Sequence, residues 1–290
     1  MQSWKDEAKE LRFIDNCSWT ETADIIRRNH FPNEPQQTIH ERVRGYLRTA
    51  PEYKGEKRVF GERPRVVGTI GDLHCPFNHP NYLSFLLDTF DKWNVTDVIY
   101  IGDVVDLHAL SRHQTEPVAK GVVSEYNLAI KELHKYYEAF PKARICIGNH
   151  DKIPERQAAT LGMPEIFLRS FRELWELPKG YEVDNHFIID DVMYHHGTNA
   201  CGINGAINKA LNERMSVVQG HEHSSFKIDY RANQRDIIFG LSCGCGVDNT
   251  AYAFEYGKLA PKKPILGTAI IKSSSEAYLV PMGAEYFRSA

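Results

Sequence analysis

Three short apolar runs, each followed by a polar residue able to bind metal, constrain the fold of this chain more than any other feature. The pairs are residues 66–70 with Asp72, 98–101 with Asp103, and 144–147 with Asn149. Amphipathic stretches at 82–93 and 126–140 separate the runs. Because strands and helices that alternate in this way form parallel sheets, the sequence predicts an α/β fold. The three polar residues should then meet at the carboxyl edge of one sheet.

The second half of the chain is richer in predicted strands. The candidates are residues 187–189, 192–194, 216–218, 226–230, 237–239 and 268–271, with one helix across 203–215. Two sheets stacked face to face and flanked by helices are compatible with this pattern, although the alternation by itself does not require them.

Five short motifs place metal-ligand residues next to small residues. They are Asp72-Leu73-His74, Gly102-Asp103, Gly148-Asn149-His150-Asp151, His195-His196-Gly197 and Gly220-His221-Glu222-His223. Together they supply enough oxygen and nitrogen ligands for two divalent metals that share one carboxylate. Two metals about 3.5–4 Å apart are a common device for in-line displacement at a phosphate ester. The sequence therefore predicts a metal-dependent phosphoesterase, a hydrolase that acts on ester bonds.

The five motifs, in this order across residues 65–245, resemble the calcineurin-like metallophosphoesterase superfamily. The resemblance implies a four-layer αββα sandwich of two mixed sheets. The ligands that it implies are Asp72, His74 and His223 for the first metal, Asn149, His196 and His221 for the second, and Asp103 as the bridge.

Ligand chemistry narrows the choice of metal. Mixed carboxylate, amide and imidazole ligation indicates a transition metal, since magnesium favours oxygen ligands. We expect two divalent ions and, among the candidates, manganese, while iron, zinc and nickel stay open. A hydroxide that bridges both ions would have a strongly lowered pKa and would be the nucleophile.

The resemblance also implies two catalytic residues that do not bind metal. His150 is expected to protonate the leaving alkoxide, which requires a donor with a pKa near the working pH. Asp106, three residues beyond Asp103, stands where the protein-phosphatase branch carries an aspartate that orients this histidine. We expect Asp106 to raise the pKa of His150 and fix its tautomer. The alternative for Asp106 is a cap on the segment that follows.

Two positions separate this chain from typical protein phosphatases. Leu107 and Ile147 stand where Ser/Thr phosphatases carry arginines that clamp a phosphomonoester dianion. Their absence favours the phosphodiesterase and nuclease branches. Arg112 and His113, in the segment after Leu107, are candidate substrate contacts, and the alternative is an ordinary surface loop.

The first 60 residues have the pattern of a small helical module and linker, ahead of a phosphoesterase domain at 61–290. Ser18 and Glu21 have the spacing of a capping box at a helix start. Ile39 and Val43 recur at helical spacing in a later stretch. The sequence predicts three short helices, the last of them basic.

A basic third helix is typical of a helix-turn-helix module, whose later helix enters the major groove. Its arginines are Arg42, Arg44 and Arg48. The net charge of the whole chain is −3, but residues 42–65 hold eight basic residues against three acidic ones. Such a surplus can attract a phosphate backbone. A packing or oligomerisation appendage is the alternative, and the oligomeric state stays open.

No apolar run reaches the roughly 20 residues that span a bilayer. The first residues, Met1 to Asp6, are polar and unlike a secretory signal. These features predict a cytoplasmic protein with no membrane partner.

The predicted function is thus a dinuclear phosphodiesterase or nuclease that acts on DNA or RNA. The alternative is a phosphomonoesterase that acts on proteins or nucleotides. A non-catalytic DNA-binding regulator on an inert scaffold fits less well, because every ligand position of the superfamily is filled.

Overall fold

The structure is a computed structural model, and it describes residues 3–15, 17, 19–49, 65–110, 121–248 and 262–286. Its contacts divide the chain into two compact units. The helices within residues 3–49 belong to the first unit, and both β-sheets belong to the second. In these described ranges, no helix combines the length and the apolar content needed to cross a membrane.

The helices of the first unit agree with those predicted. Helix α1 spans Trp4–Lys9 and continues as a π-helical turn over Glu10–Ile14. Helix α2 spans Trp19–His30, and α3 spans Gln36–Thr49. The predicted capping residue Ser18 lies outside the described residues.

A small apolar core holds these three helices together. Its buried residues are Ala8, Ala23, Ile26, Ile39, Val43 and Leu47. Trp4 packs edge-on against Phe31 and Tyr46, with ring centroids 6.0 and 5.3 Å away. Because its ring contacts both Phe31, directly after α2, and Tyr46 of α3, Trp4 helps to link α1 to the rest of the unit.

Eleven strands lie in the described part of the chain. They are β1 (Val67–Ile70), β2 (Asp97–Tyr100), β3 (Ala143–Cys146), β4 (Tyr181–Asp184), β5 (His186–Ile189), β6 (Val192–His195), β7 (Ser216–Gln219), β8 (Phe226–Ala232), β9 (Ile237–Cys243), β10 (Gly267–Ser273) and β11 (Glu276–Pro281). The described helices after α3 are α4 (Tyr82–Lys92), α5 (Val122–Ala139), α6 (Ile153–Thr160), α7 (Phe171–Leu174) and α8 (Gly205–Glu213).

The strands form two mixed sheets. The first has the order β11-β10-β1-β2-β3-β4, in which β1 to β4 are parallel and β10 and β11 are antiparallel to their neighbours. The second has the order β5-β6-β7-β9-β8, with β6, β7 and β9 parallel between antiparallel edges. Parallel strands at the centre of each sheet bring several carboxyl ends to one edge.

The main core lies where the two sheets face each other. It combines Val67, Ile99, Cys146, Ala269 and Ile271 of the first sheet with Val192, Tyr194, Val218, Phe239, Leu241 and Cys243 of the second. These strands read as continuous apolar runs because they are covered on both faces. Full burial of each aliphatic or aromatic side chain is worth about 1.5–3 kcal/mol.

Helices cover the outer faces of both sheets. On the second sheet, Ile207 and Ala210 of α8 pack against Met193 and Val217. On the first sheet, Tyr137 of α5 packs edge-on against the ring of Tyr181 in β4 at 5.2 Å. The layers are therefore helix, sheet, sheet and helix, and the predicted fold class is confirmed.

Candidate metal centre

Glycines let the loops after the strands approach one another closely. A Cβ atom on Gly148 would lie 2.1 Å from Oδ1 of Asp103, and one on Gly220 would lie 2.2 Å from Oδ1 of Asp72. No side chain fits at either distance. The residues that follow these glycines then orient the carboxylates, because His150 N donates to Asp103 Oδ1 at 2.7 Å and His221 N donates to Asp72 Oδ2 at 2.8 Å.

Three of the predicted ligands have a left-handed backbone. The φ angles are 50° at His74, 45° at Asp103 and 67° at His221. Each such non-glycine residue costs on the order of 1–3 kcal/mol, and strain of this kind concentrates at functional sites. The sequence tolerates it here, which indicates that the positions of these side chains matter more than local stability.

The first cluster consists of Asp72, His74 and His223, whose ligand atoms converge at one edge of the sheets. His223 Nε2 lies 3.1 Å from Asp72 Oδ2 and 3.1 Å from His74 Nε2. Asp72 and His74 are almost fully buried, whereas a fifth of the His223 side chain is exposed. These are the three residues predicted for the first metal.

The second cluster consists of Asp103, His196 and His221, with the Asn149 amide beside them. His196 Nε2 lies 3.2 Å from Asp103 Oδ2, 3.1 Å from His221 Nδ1 and 2.9 Å from Asn149 Oδ1. Asp103 Oδ2 also lies 3.7 Å from His74 Nε2, so one carboxylate oxygen faces both clusters. The structure thus brings all seven predicted ligands together, with Asp103 between the two groups.

The hydrogen bonds behind the histidines show what these clusters are suited to hold. His74 Nδ1 donates to Asp106 Oδ1 at 2.6 Å, and His196 Nδ1 donates to the Ile101 carbonyl at 2.9 Å. In each neutral imidazole the Nε2 atom is then an acceptor, and it faces other acceptors. Buried acceptors that converge in this way fit a cation, and partners of this kind commonly orient metal-binding histidines.

A buried oxygen supports the same conclusion. Asp72 Oδ1 is shielded from solvent and has no hydrogen-bond partner among the described residues. Leaving a buried carboxylate oxygen unsatisfied is costly, and metal coordination is one of the ways proteins satisfy it. The residues present therefore fit two divalent metal ions held by mixed oxygen and nitrogen ligands.

The electrostatics of both clusters demand positive charge. Burial opposes the charged imidazolium of His196, but the Asp103 carboxylate outweighs it and raises the pKa of His196 to about 10. Burial likewise opposes charge on His223, and its hydrogen bond to Asp72 raises the pKa of that imidazole. Burial opposes ionisation of Asp103, yet His196 and His74 hold the pKa of this carboxyl below its usual range. The buried carboxylates of both clusters thus favour positive charge beside them.

His150 lies at the exposed side of the clusters, with 26% of its side chain accessible. Its Nδ1 donates to the backbone carbonyl of Asp106 at 2.7 Å, which leaves Nε2 as the nitrogen that can pass on a proton. The Asp106 carboxylate lies farther away, at 3.5 Å from His150 Nδ1, and binds His74 instead. Asp106 therefore contacts His150 mainly through its backbone, which differs from the side-chain contact expected.

Two buried carboxylates that the sequence analysis did not assign to the site hold its loops in place. Asp151 accepts hydrogen bonds from Val104 N and Gly148 N at 3.0 and 2.8 Å, tying the second motif to the third. Burial and the nearby Asp103 raise the pKa of Asp151 to about 7. Glu125 accepts from His108 N and Ala109 N at 2.7 and 2.9 Å.

A signal for Glu125 was present in the sequence. Glu125, Ala129, Leu133 and Tyr137 recur every four residues, so a carboxylate lies on the apolar stripe of α5. A charged residue on such a stripe indicates a buried polar contact.

The predicted substrate contacts, Arg112 and His113, lie outside the described residues. Leu107 is 6% exposed, so no polar group replaces the phosphatase arginine at that position. His195 lies next to His196 on β6, and burial lowers its pKa to about 4. Glu222 points to Gly202, whose backbone N donates to its carboxylate at 3.0 Å.

Comparison with known proteins finds structural relatives of low sequence identity. No protein-family model matches the sequence, and no curated protein matches it. Vps29 from Cryptosporidium parvum is 13% identical, with a TM-score of 0.40 over 76% of this chain and 92% of its own. The E. coli phosphoesterase YfcE is 14% identical, with a TM-score of 0.36 over 74% of this chain and 99% of its own. The Pseudomonas putida nuclease MPE is 12% identical, with a TM-score of 0.27 over 74% and 87%.

Such low identities and TM-scores assign no activity to this chain. The topology and the ligand positions come from the chain itself: two mixed sheets face each other, and five motifs converge at the carboxyl ends of their central strands. These features agree with the sandwich of two mixed sheets that the sequence motifs imply.

Proposed function

We propose that this protein is a metal-dependent phosphodiesterase that acts on nucleic acid. The observation that carries the proposal is the convergence of seven oxygen and nitrogen ligands around one shared carboxylate, Asp103. When bound, two divalent ions would polarise a phosphate ester and lower the pKa of water at this position. Manganese is our first choice of ion, and iron, zinc or nickel are compatible with the same ligands.

The residues of the chain supply the rest of the chemistry. Asp103 faces both clusters and would offset the repulsion between two dications held there. His150 lies at the exposed side of the clusters, where its Nε2 can give a proton to the leaving alkoxide. The Asp106 carbonyl fixes the tautomer of that imidazole, and the Asp106 carboxylate fixes that of His74. Asp106 is thus a positioning residue for two histidines.

The preference for a diester rests on what surrounds the clusters. A phosphomonoester dianion needs more compensating charge than a diester monoanion, and bidentate arginines usually supply it. Leu107 and Ile147 replace those arginines, and both pack at least partly out of solvent. A phosphomonoesterase that acts on proteins or nucleotides is the second candidate. Only the complete set of metal-ligand residues favours it.

The test compares hydrolysis of a bis-aryl phosphodiester, the matching monoester and a short oligonucleotide, with manganese and with chelator. We expect manganese-dependent cleavage of the diester and the oligonucleotide, and loss of both activities in Asp103→Asn. Asp191→Asn, an exposed aspartate between β5 and β6, is the matched control. Release of phosphate from the monoester alone would select the phosphatase, and activity that survives chelator and Asp103→Asn would refute the metal centre.

The first unit is proposed to tether the enzyme to DNA. The guanidinium of Arg42 is already engaged, since it pairs with both oxygens of Glu34 at 3.2 and 3.0 Å. We assign phosphate contacts to the other two arginines in the sequence of α3, Arg44 and Arg48. In the Asp103→Asn variant, which should not cleave DNA, the double substitution Arg44→Ala and Arg48→Ala should weaken binding to duplex DNA. It should also make that binding less dependent on salt. Binding that is unchanged in the double variant would refute the tether.

A further inference from the structure

Arg156 lies one helical turn beyond the third motif. Helix α6 begins at Ile153, three residues after His150, and the Ile153 N–H donates to the His150 carbonyl at 2.9 Å. Pro154 in the first turn suits a helix start, because its missing N–H would have no partner there. Only three residues therefore separate the ligand Asn149 from the first residue of α6.

The side chain of Arg156 returns towards that motif. Its Nη2 donates to the Asn149 backbone carbonyl at 2.8 Å, while the residue as a whole is exposed. No acidic residue pairs with it in the part of the chain that the structure describes. Arg144 and Arg42, by contrast, each bind carboxylates. Arg156 therefore presents a positive charge that the described residues do not neutralise.

Asn149 separates this charge from the clusters. Its side-chain oxygen faces His196 Nε2 at 2.9 Å, and its backbone oxygen faces Arg156. The guanidinium thus contacts the backbone of a metal ligand, at a point of the chain where Asn149 and His150 are partly exposed.

We propose that Arg156 binds the phosphate adjacent to the scissile one, so that the enzyme selects polynucleotide strands over isolated diesters. This inference rests on the proposed phosphodiesterase function. A guanidinium with one donor fixed by a carbonyl is pre-oriented, and its remaining N–H groups can bind a phosphate through two oxygens. A bis-aryl diester has no second phosphate and gains nothing from this contact.

The test measures kcat/KM for a short single-stranded oligonucleotide and for a bis-aryl phosphodiester across a salt series. Arg156→Ala should lower kcat/KM for the oligonucleotide about tenfold more than for the aryl diester, as expected for one lost phosphate contact. Its log–log salt slope should become less steep by about 0.7. Arg156→Lys keeps the charge and should recover most of the slope. Arg235→Ala, in the exposed turn between β8 and β9, removes the same charge elsewhere and should change neither ratio nor slope.

Two outcomes would overturn the inference while leaving the proposed function intact. Equal losses on both substrates with an unchanged salt slope would mean that Arg156 only holds the Asn149 carbonyl. If Arg156→Ala, like Arg235→Ala, changes neither the kcat/KM ratio nor the salt slope, Arg156 contacts no substrate. If the alanine variant does not fold, Arg156→Gln, which removes the charge and keeps a hydrogen-bond donor, takes its place beside Arg156→Lys, and an unchanged salt slope in Arg156→Gln would overturn the inference. Wild-type protein that fails to cleave the oligonucleotide would overturn both proposals together.

Discussion

The two units of this protein use the same pair of residue types, histidine and carboxylate, in opposite ways. In the first unit, His30 donates to Glu7 at 2.5 Å and His40 to Asp24 at 2.8 Å, and all four side chains are between 21% and 35% exposed. In the second unit, His74 and His196 are 2% exposed and turn acceptor atoms towards other acceptors.

The difference shows that exposure and proximity do not identify a metal centre by themselves. His150 is 26% exposed and His30 is 24% exposed, yet their surroundings differ. Each histidine of the first unit meets the carboxylate that satisfies it. His74 and His196 donate Nδ1 to a partner behind them and turn Nε2 towards the other ligand atoms of the clusters. A self-satisfied pair contributes to stability, whereas a converging set of acceptors fits an added cation.

The largest expected effect is on kcat for a phosphodiester, which should depend on His150 and not on His30. His150→Gln should lower kcat on a phosphodiester with a poor leaving group by about 10²–10⁴-fold, because a positioned proton donor is worth that much. A diester with a good aryl leaving group should lose far less, since it needs no proton. His30→Gln should leave both rates unchanged. Metal content measured on both variants serves as the control, and equal rate losses on the two substrates would contradict the acid role.

The second prediction tests whether the clusters require the close approach of the Gly148 backbone to the Asp103 carboxylate. Gly148→Ala places a Cβ 2.1 Å from the bridging carboxylate of Asp103, so that carboxylate must move. A displacement of about 1 Å can cost about 100-fold in rate. We expect a loss of that order together with weaker metal binding by calorimetry. Gly121→Ala, where a Cβ meets nothing within 4 Å, is the matched control. Normal activity in Gly148→Ala would contradict the geometry.

The central strands and ligands could be predicted because each depends on local signals. β1, β2 and β3 are short apolar runs, and the residues that follow them carry the ligands. The positions of β4 and β11 were not predicted. In β4, Glu182 and Asp184 interrupt the apolar pattern, and the strand is defined by its pairing with the distant β3. In β11, the apolar run 277–280 follows β10 directly and was a local signal that was missed.

The contacts within the site depend even less on local sequence. Asp106 was assigned to His150 from spacing, but the left-handed Leu107 that follows it, with φ of 55°, belongs to a loop whose course spacing does not specify. The carboxylate reaches His74, 32 residues away in the chain. Asp151 belongs to the third motif, but its role in tying two loops together depends on backbone N–H groups that the sequence does not place.

Metal removal should distinguish the two units directly. A ligand present at 100 times its Kd stabilises the folded state by about 2.7 kcal/mol, so chelation should lower the unfolding free energy of the second unit by about that amount. Hydrogen exchange should speed up in peptides that contain Asp72, Asp103 and His221. Peptides from α2 and α3 should be unaffected, because their histidines already have carboxylate partners. Equal changes in hydrogen exchange in both units would mean that the histidines of the first unit also depend on metal.

The smallest effect concerns the first unit. The hydrogen bond from His30 holds the pKa of Glu7 below its ordinary value, against a small opposing effect of burial. A lowered carboxyl pKa stabilises the folded state above the ordinary value of about 4.3, and this contribution is lost as the pH falls through the lower folded pKa. Because the pair is partly exposed, Glu7→Gln should cost under about 1 kcal/mol at neutral pH.

The difference between wild type and Glu7→Gln should therefore shrink on acidification, when wild-type Glu7 is itself neutral. The opening free energy of α2, measured by hydrogen exchange at pH 7 and at successively lower pH, gives the comparison. Asp15→Asn removes the same charge from an exposed position of this unit and is the control. A cost for Glu7→Gln that persists at low pH would mean that the side chain acts through packing, and the first unit would then owe its stability to its apolar core alone.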